Sequence, residues 1–372
     1  MLEDKCMASD KRDWALNAIK LMEADARRSA DSHLVPLDVP AFADIDIYLK
    51  DESTHPTGSL KHRLARSLIL YGICNGLVGP TTTLIEASSG STAVSEAYYA
   101  KLLGLRFFAV LPRSTTQSKV DAIQRLGGCC HFVDDPAAIY EEARMLAGRE
   151  NGYYLDQFTY AERATDWRGN NNIAESIFQQ MSMERHPEPH WVVMSPGTGG
   201  TSATIGRYIL YRGAPTRLCV PDPEFSAFYQ GWGHGDMDVI CERGSRIEGI
   251  GRPRMEASFI PTVVDAMLKV PDAVSIAAAR VLSHLLGRRV GGSTGTNFVG
   301  VLWAASQMHQ DKTAGSIVSM ICDSGERYAQ TYFDDAWLAQ EKLDVAPIEA
   351  KLRAILDSGV FDPGLLLGVR QR

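Results

Sequence analysis

The sequence predicts an α/β protein of two lobes, each built on a parallel sheet, and three observations carry that prediction. Short runs rich in β-branched and aromatic residues alternate with longer helix-patterned segments. Glycine, serine and threonine cluster where several of those runs give way to helices. The alternation also falls into two groups, near residues 80–135 and 190–325, which implies two sheets with crossover helices on both faces.

The first thirty residues, MLEDKCMASDKRDWALNAIKLMEADARRSA, read as a charged amphipathic helix and lack the uninterrupted apolar run of a signal peptide. In the first group, TTLIEASS, RFFAVLP and CCHFVDD read as strands. Between them STAVSEAYYAKLLG sets Ala93, Ala97, Ala100 and Leu103 on one face and stops at Gly104. STTQSKVDAIQRLGG repeats the scheme, with Ser114 or Thr115 as the cap and Gly127 and Gly128 after the last turn. NGYYLDQFTYAERATDWRGNNN is less regular and separates the groups. HWVVMSP, TRLCVPDP and AGSIVSMICDSG are the strands of the second group. Beyond Asp344 an amphipathic helix and a Gly- and Pro-punctuated tail are expected to cover a surface or a partner subunit.

With 372 residues, 45% hydrophobic and 22% charged, the chain has the make-up of a soluble protein with a large core. A net charge of −7, with Lys and Arg scattered, leaves no basic footprint for nucleic acid or an anionic membrane, so small molecules are the expected partners. No stretch approaches the ~18 consecutive apolar residues of a membrane span, and a cytoplasmic protein is expected. The seven cysteines include no C-x-x-C pair, so neither a disulfide framework nor a zinc site is indicated and no metal is expected. All of them, the adjacent Cys129 and Cys130 included, are expected to be core packing.

Four stretches share one composition: PTGSLK (56–61), SSGST (88–92), PGTGGT (196–201) and GGSTGT (291–296). Each is expected where a strand ends and a helix begins, the place where ligands meet free backbone N–H groups in open parallel sheets. Gly197, Gly199 and Gly200 let the backbone approach an anion, and Thr198 and Thr201 add hydroxyls, so a phosphate suits this loop. It matches neither a Walker loop nor the dinucleotide register. Ser88, Ser89, Ser91 and Thr92 around Gly90 suit a carboxylate. Lys61 is electrostatically odd, because a helix N-terminus favours anions. A phosphate-bearing aldehyde would resolve this by taking the amine into a Schiff base, and pyridoxal phosphate carries both groups.

These residues resemble the cysteine synthase and cystathionine β-synthase family, of the second pyridoxal-phosphate fold type (tryptophan synthase β-like), from about Leu34 to Asp344. The family's P-x-x-S-x-K-x-R motif appears as PTGSLKHR, its substrate-carboxylate loop as SSGSTA, its Q-F pair as Gln157 and Phe158, and its phosphate loop as GTGGT unaltered. The resemblance implies two three-layer α/β/α domains with the cofactor in the cleft between them. Residues 50–165 would be the smaller, mobile domain with the carboxylate loop. Residues 1–49 and 166–344 would be the larger domain with the phosphate loop, and 345–372 a C-terminal helix and tail. It implies Lys61 as the catalytic, cofactor-bearing lysine, with Ser91, Gly197, Thr198, Gly199, Gly200, Thr201 and Ser293 binding the cofactor. Ser88, Ser89, Gly90, Thr92 and Gln157 would bind the substrate carboxylate, and a homodimer is expected.

Ser293 would face the pyridine nitrogen, where a hydroxyl cannot keep the ring protonated as an aspartate would; that favours early loss of a β-substituent. Two departures matter: Ser91 stands where cysteine synthases carry asparagine, and the GIG loop here reads EGIGRPRMEASFIP, placing Arg252 and Arg254 near the mouth. GIGRPR together with GGSTGTN looks closest to L-cysteine desulfhydrases. The expected reaction is β-elimination of L-cysteine through aminoacrylate to hydrogen sulfide, pyruvate and ammonia. The alternative is a cysteine synthase acting on O-acetylserine, or a related β-replacement enzyme.

Overall fold

The computed structural model describes residues 2–372, with side chains from Asp10 onward. By packing, the chain forms two units. The residues up to Asp31 join His55–Thr165 in the smaller, and Ser32–Thr54 join Asp166–Arg372 in the larger.

In the smaller unit, four strands run parallel in the order Cys129–Val133, Phe107–Pro112, Thr83–Glu86, Gly152–Tyr154. Successive strand residues point to opposite faces, and the packing follows that rule. Leu84, Phe107, Ala109 and Leu111 meet the apolar stripes of helices Lys61–Cys74 and Ser91–Leu103. Ile85 and Val110 instead meet Ala143 and Leu146 of helix Ile139–Arg149. Three layers result. Ala93, Ala97, Ala100 and Leu103 are all buried, and Gly104 ends their helix in the left-handed region at φ 68°.

The next helix differs from expectation. It runs only over Gln117–Gln124, with Thr116 and not Ser114 or Thr115 at the cap position. The reason is a turn closed by Thr115 N on Pro112 O, which carries the chain off the strand end before a helix can start. The irregular stretch after Asn151 holds the edge strand Gly152–Tyr154 and the helix Gln157–Ala164. A three-residue strand is too short to show alternation. Cysteine packing holds for Cys219 and Cys322, but Cys74 and Cys129 are exposed and Cys130 only partly buried. Cys129 and Cys130 lie on an edge strand, where one flank has no neighbour, and Cys6 lies outside the described side chains.

Among the described residues the larger unit has a seven-stranded sheet, ordered His33–Leu37, Ile45–Asp51, Gly315–Ile321, Trp191–Val193, Arg217–Pro223, Ala266–Val270, Gly368–Gln371. The five inner strands are parallel and both edges antiparallel. Ile47, Leu49, Val193, Leu268 and Ile317 pack beneath helices Asp272–Leu286, Gly292–Gln310 and Ala346–Ser358. Helix Gly200–Arg212 packs on strand Arg217–Pro223 and beside helix Ile173–Met181. The tail is thus no loose cover: its last strand completes an edge of the sheet.

GGSTGT also differs from expectation. No strand precedes it; it opens helix Gly292–Gln310 after helix Asp272–Leu286, and Val290 just before it forms an isolated bridge with Ser324. A Cβ on Gly295 would stand 2.1 Å from Ser275 O, so this glycine permits a close helix crossing.

Candidate cofactor and substrate site

In the smaller unit, Lys61 is the first residue of helix Lys61–Cys74, half-buried, with its N–H on Ser59 Oγ at 3.2 Å. The turn before it is anchored. Thr57 Oγ1 lies 2.9 Å from Ser95 Oγ and 3.2 Å from His62 Nδ1, and Tyr99 OH lies 2.8 Å from His62 Nε2. The Thr57–Ser95 contact binds the PTGSLK turn to the helix that follows SSGST.

Strand Thr83–Glu86 leads into Ser88–Gly90, and helix Ser91–Leu103 begins immediately after. Ser88 Oγ accepts Gly90 N at 3.2 Å, which folds the loop over its own backbone. Thr92, buried, donates to Gln157 Oε1 at 2.7 Å across 65 residues. Gln157 N in turn donates to Glu86 Oε2 at 3.1 Å, and Ala87 N to Glu86 Oε1 at 2.8 Å. Ser88, Ser89, Gly90 and Ser91 remain partly exposed. The structure therefore gathers Lys61, the serine loop and Gln157 in one unit, with the loop's hydroxyls and the first-turn N–H groups of a helix as anion donors.

In the larger unit, strand Trp191–Val193 leads into Pro196–Thr198, and Gly199 caps helix Gly200–Arg212 at φ 88°. A Cβ there would meet Phe259 Cα at 2.5 Å. Both the dihedral and the space demand glycine. Thr198 Oγ1 accepts Gly200 N at 3.2 Å, while Gly197 and Thr201 stay partly exposed. Ser293 is 4% exposed in the first turn of its helix. The two stretches meet through Ser195. Its N–H donates to Asn297 Oδ1 at 2.7 Å, its hydroxyl bonds the same atom, and it lies 3.4 Å from Ser293 O. Thr294 Oγ1 accepts Cys322 N at 3.0 Å, so the ends of two central strands are pinned beside Ser293.

These donors fit pyridoxal phosphate by their chemistry. A glycine loop at the positive end of a 13-residue helix suits a phosphate dianion, a buried neutral hydroxyl suits a pyridine nitrogen, and a half-buried amine suits an aldehyde.

The comparisons agree with that chemistry. Residues 31–323 match the profile of the pyridoxal-phosphate dependent enzyme family. The chain belongs to that family. As a pyridoxal-phosphate dependent enzyme it is 58% identical over 353 residues, 93% of this chain and 96% of the relative, to L-cysteine desulfhydrase Cds1 of Mycobacterium tuberculosis. It is 27% identical over 320 residues to a cysteine synthase of Dictyostelium discoideum, with 82% of each chain covered. Its fold matches the crystal structure of O-ureido-L-serine synthase with a TM-score of 0.70 at 24% identity, over 83% of this chain and 96% of that one. Among the described residues of this pyridoxal-phosphate dependent enzyme, no helix is long and apolar enough to cross a membrane, and no cluster of metal-ligating side chains is present.

Sequence reasoning missed four polar residues. Asn297 ties the two loops of the larger unit. Glu256, 3% exposed, receives Arg252 Nε at 2.9 Å and Arg254 Nε at 3.4 Å, so both arginines converge on one buried carboxylate. Glu86 and Glu96 are fully buried in the smaller unit. A polar residue at a core position in a strand or helix pattern was the only signal for Glu86, Glu96 and Asn297; Glu256 lies in a loop, which has no such pattern to break.

Proposed function

We propose that this enzyme cleaves L-cysteine to hydrogen sulfide, pyruvate and ammonia. The observation that carries this is the 58% identity, across 93% of the chain, to a desulfhydrase. Pyridoxal phosphate, when bound, supplies the electron sink that acidifies the Cα–H bond and lets the β-substituent depart.

The chain's own residues do the rest. Lys61 carries the cofactor and moves the Cα proton on its amine. Gly197, Thr198, Gly199, Gly200 and Thr201 hold the phosphate, Ser91 contacts the cofactor, and Ser293 offers its hydroxyl to the ring nitrogen. Ser88, Ser89, Gly90, Thr92 and Gln157 hold the substrate carboxylate, with the Thr92–Gln157 bond at 2.7 Å fixing the amide's direction. The same reading makes the protein a cytoplasmic homodimer in which residues 50–165 act as the mobile domain.

The test gives the purified enzyme either L-cysteine, or O-acetylserine with sulfide. Pyruvate and sulfide from cysteine alone are expected. Absence of pyruvate, with cysteine formed from O-acetylserine, would sink the elimination reading in favour of replacement.

A further inference from the structure

His62, the residue after Lys61, has no part in the reaction just described, yet both of its ring nitrogens are engaged. It is buried in the first turn of helix Lys61–Cys74. Nε2 lies 2.8 Å from Tyr99 OH, and Nδ1 lies 3.2 Å from Thr57 Oγ1, which in turn lies 2.9 Å from Ser95 Oγ. Thr57, Ser95 and Tyr99 are buried as well. Ser95 and Tyr99, at i and i+4, share one face of helix Ser91–Leu103. Thr57 belongs to the turn before Lys61, which is closed by Gly58 N on His55 O at 2.7 Å and His62 N on Ser59 O at 3.1 Å. The lysine turn and the carboxylate-loop helix thus meet at Thr57 with Ser95 and at His62 with Tyr99, and the imidazole links the two points.

The directions of these bonds follow from what each atom can do. A buried phenol has to place its hydrogen, and Nε2 is the acceptor at hydrogen-bond distance, so Tyr99 donates. Asp25 Oδ2 stands 4.0 Å from Nε2, beyond a hydrogen bond, and Oδ1 of that carboxylate already receives Tyr98 OH at 2.8 Å and Arg28 Nη1 at 2.7 Å. With Nε2 accepting, a neutral ring carries its proton on Nδ1 and donates it to Thr57 Oγ1, whose own hydrogen points to Ser95 Oγ. His55 stacks on the ring with centroids 5.1 Å apart, and Tyr98 meets it edge-on at 5.2 Å, so it cannot turn without disturbing both.

We propose that His62 is a positioning residue for Lys61: as the Nδ1–H tautomer it locks the turn that carries the lysine to the helix that opens at the carboxylate loop, so that the Lys61 amine and the bound carboxylate keep one fixed geometry. This rests on the roles given above to Lys61 and to the serine loop. Thr92 and Ser95 lie one turn apart on the same helix, so a substrate held at Thr92 is referenced to the turn that aims the amine. Proton transfer depends steeply on that aim, since an ångström of misplacement can cost on the order of 100-fold in rate. His62 acts through Lys61, without a chemical step of its own.

His62→Phe in the holoenzyme, which keeps a flat ring and removes both nitrogens, tests this. It is expected to lower kcat by roughly tenfold or more, with KM for the amino acid little changed and the visible circular dichroism of the Lys61-linked cofactor reduced. His62→Asn, whose amide N–H reaches where Nδ1–H stood, is expected to recover part of kcat. Ile73→Val, a core change at the far end of the same helix, is expected to lower Tm with kcat retained, which separates lost positioning from a loosened fold. Nitrogen NMR of histidine-labelled enzyme is expected to show His62 protonated on Nδ1 and bare on Nε2, signals that vanish in His62→Phe. Unchanged kcat and circular dichroism in His62→Phe, an equal loss of kcat in Ile73→Val, or a proton on Nε2 overturns the proposal. Borohydride failing to fix the cofactor at Lys61 in the parent would overturn both this proposal and the Lys61 assignment, whereas a normal link with unchanged kcat in His62→Phe overturns only the role of His62.

Discussion

Thr92 Oγ1 and Gln157 Oε1 are 2.7 Å apart although 65 residues separate them in the chain. The bond occupies the amide oxygen and so leaves the amide NH2 to donate elsewhere, which is the polarity a carboxylate ligand needs. It forms because strands Thr83–Glu86 and Gly152–Tyr154 are parallel neighbours, so the loops at their carboxyl ends emerge side by side.

Thr92→Val and Gln157→Leu are each expected to raise KM for the amino acid about tenfold or more, with the cofactor absorbance unchanged. A double-mutant cycle on KM is expected to show coupling, since either change orphans the other's buried polar atom. Additive effects would mean that the pair does not act as a unit on the substrate.

Lys61→Ala is expected to abolish borohydride-fixed cofactor and to lower kcat by on the order of 10³-fold or more, since it removes both attachment and proton transfer. Its Tm is expected to stay near that of the parent apoprotein, because Lys61 is a half-buried first-turn residue outside the apolar stripe of its helix. Retained borohydride fixation would place the attachment on another lysine.

Gly199→Ala combines a positive φ of 88° with a Cβ only 2.5 Å from the Phe259 backbone. We expect a loss on the order of 2–4 kcal/mol, together with weakened cofactor binding measured by dialysis against free phosphate-bearing cofactor. Parental Tm and cofactor retention would show that the loop relaxes freely.

Asp222, at 0% exposure, accepts Tyr229 N at 2.9 Å on one oxygen and leaves the other without a partner. Burial, the main cause, pushes its carboxyl up from 3.8 to about 7. The folded state therefore holds this proton more tightly than the unfolded chain. The advantage is complete below pH 3.8 and is lost as pH rises to about 7, for a total of up to roughly 4 kcal/mol. Asp222→Asn, which cannot ionise, is expected to gain Tm on the parent as pH goes from 5 to 8. A constant difference across that range would contradict the shift.

Much of the architecture was legible in the chain because strand alternation and helix periodicity are local. Leu84 and Ile85, adjacent in sequence, face separate cores, as their pattern requires. Edge elements were not legible: Gly152–Tyr154 is too short to repeat a pattern, and Gly368–Gln371 looks like an unstructured tail until it pairs with Ala266–Val270. GGSTGT misled because glycine reads as a loop residue, whereas Gly295 is needed by the oxygen of a residue twenty positions away.

The amino-acid order by itself settled the α/β class, the cofactor chemistry and the resembling lysine and glycine motifs, since each depends on neighbours within a few residues. Tertiary structure alone decided which distant side chains meet: Gln157 with Thr92, Ser195 with Asn297, and Thr57 with Ser95. The last of these shows the physical reason most clearly. Thr57 and Ser95 read as solvent-facing polar residues, and only the packing of helix Lys61–Cys74 against helix Ser91–Leu103 removes the water and leaves the two hydroxyls 2.9 Å apart.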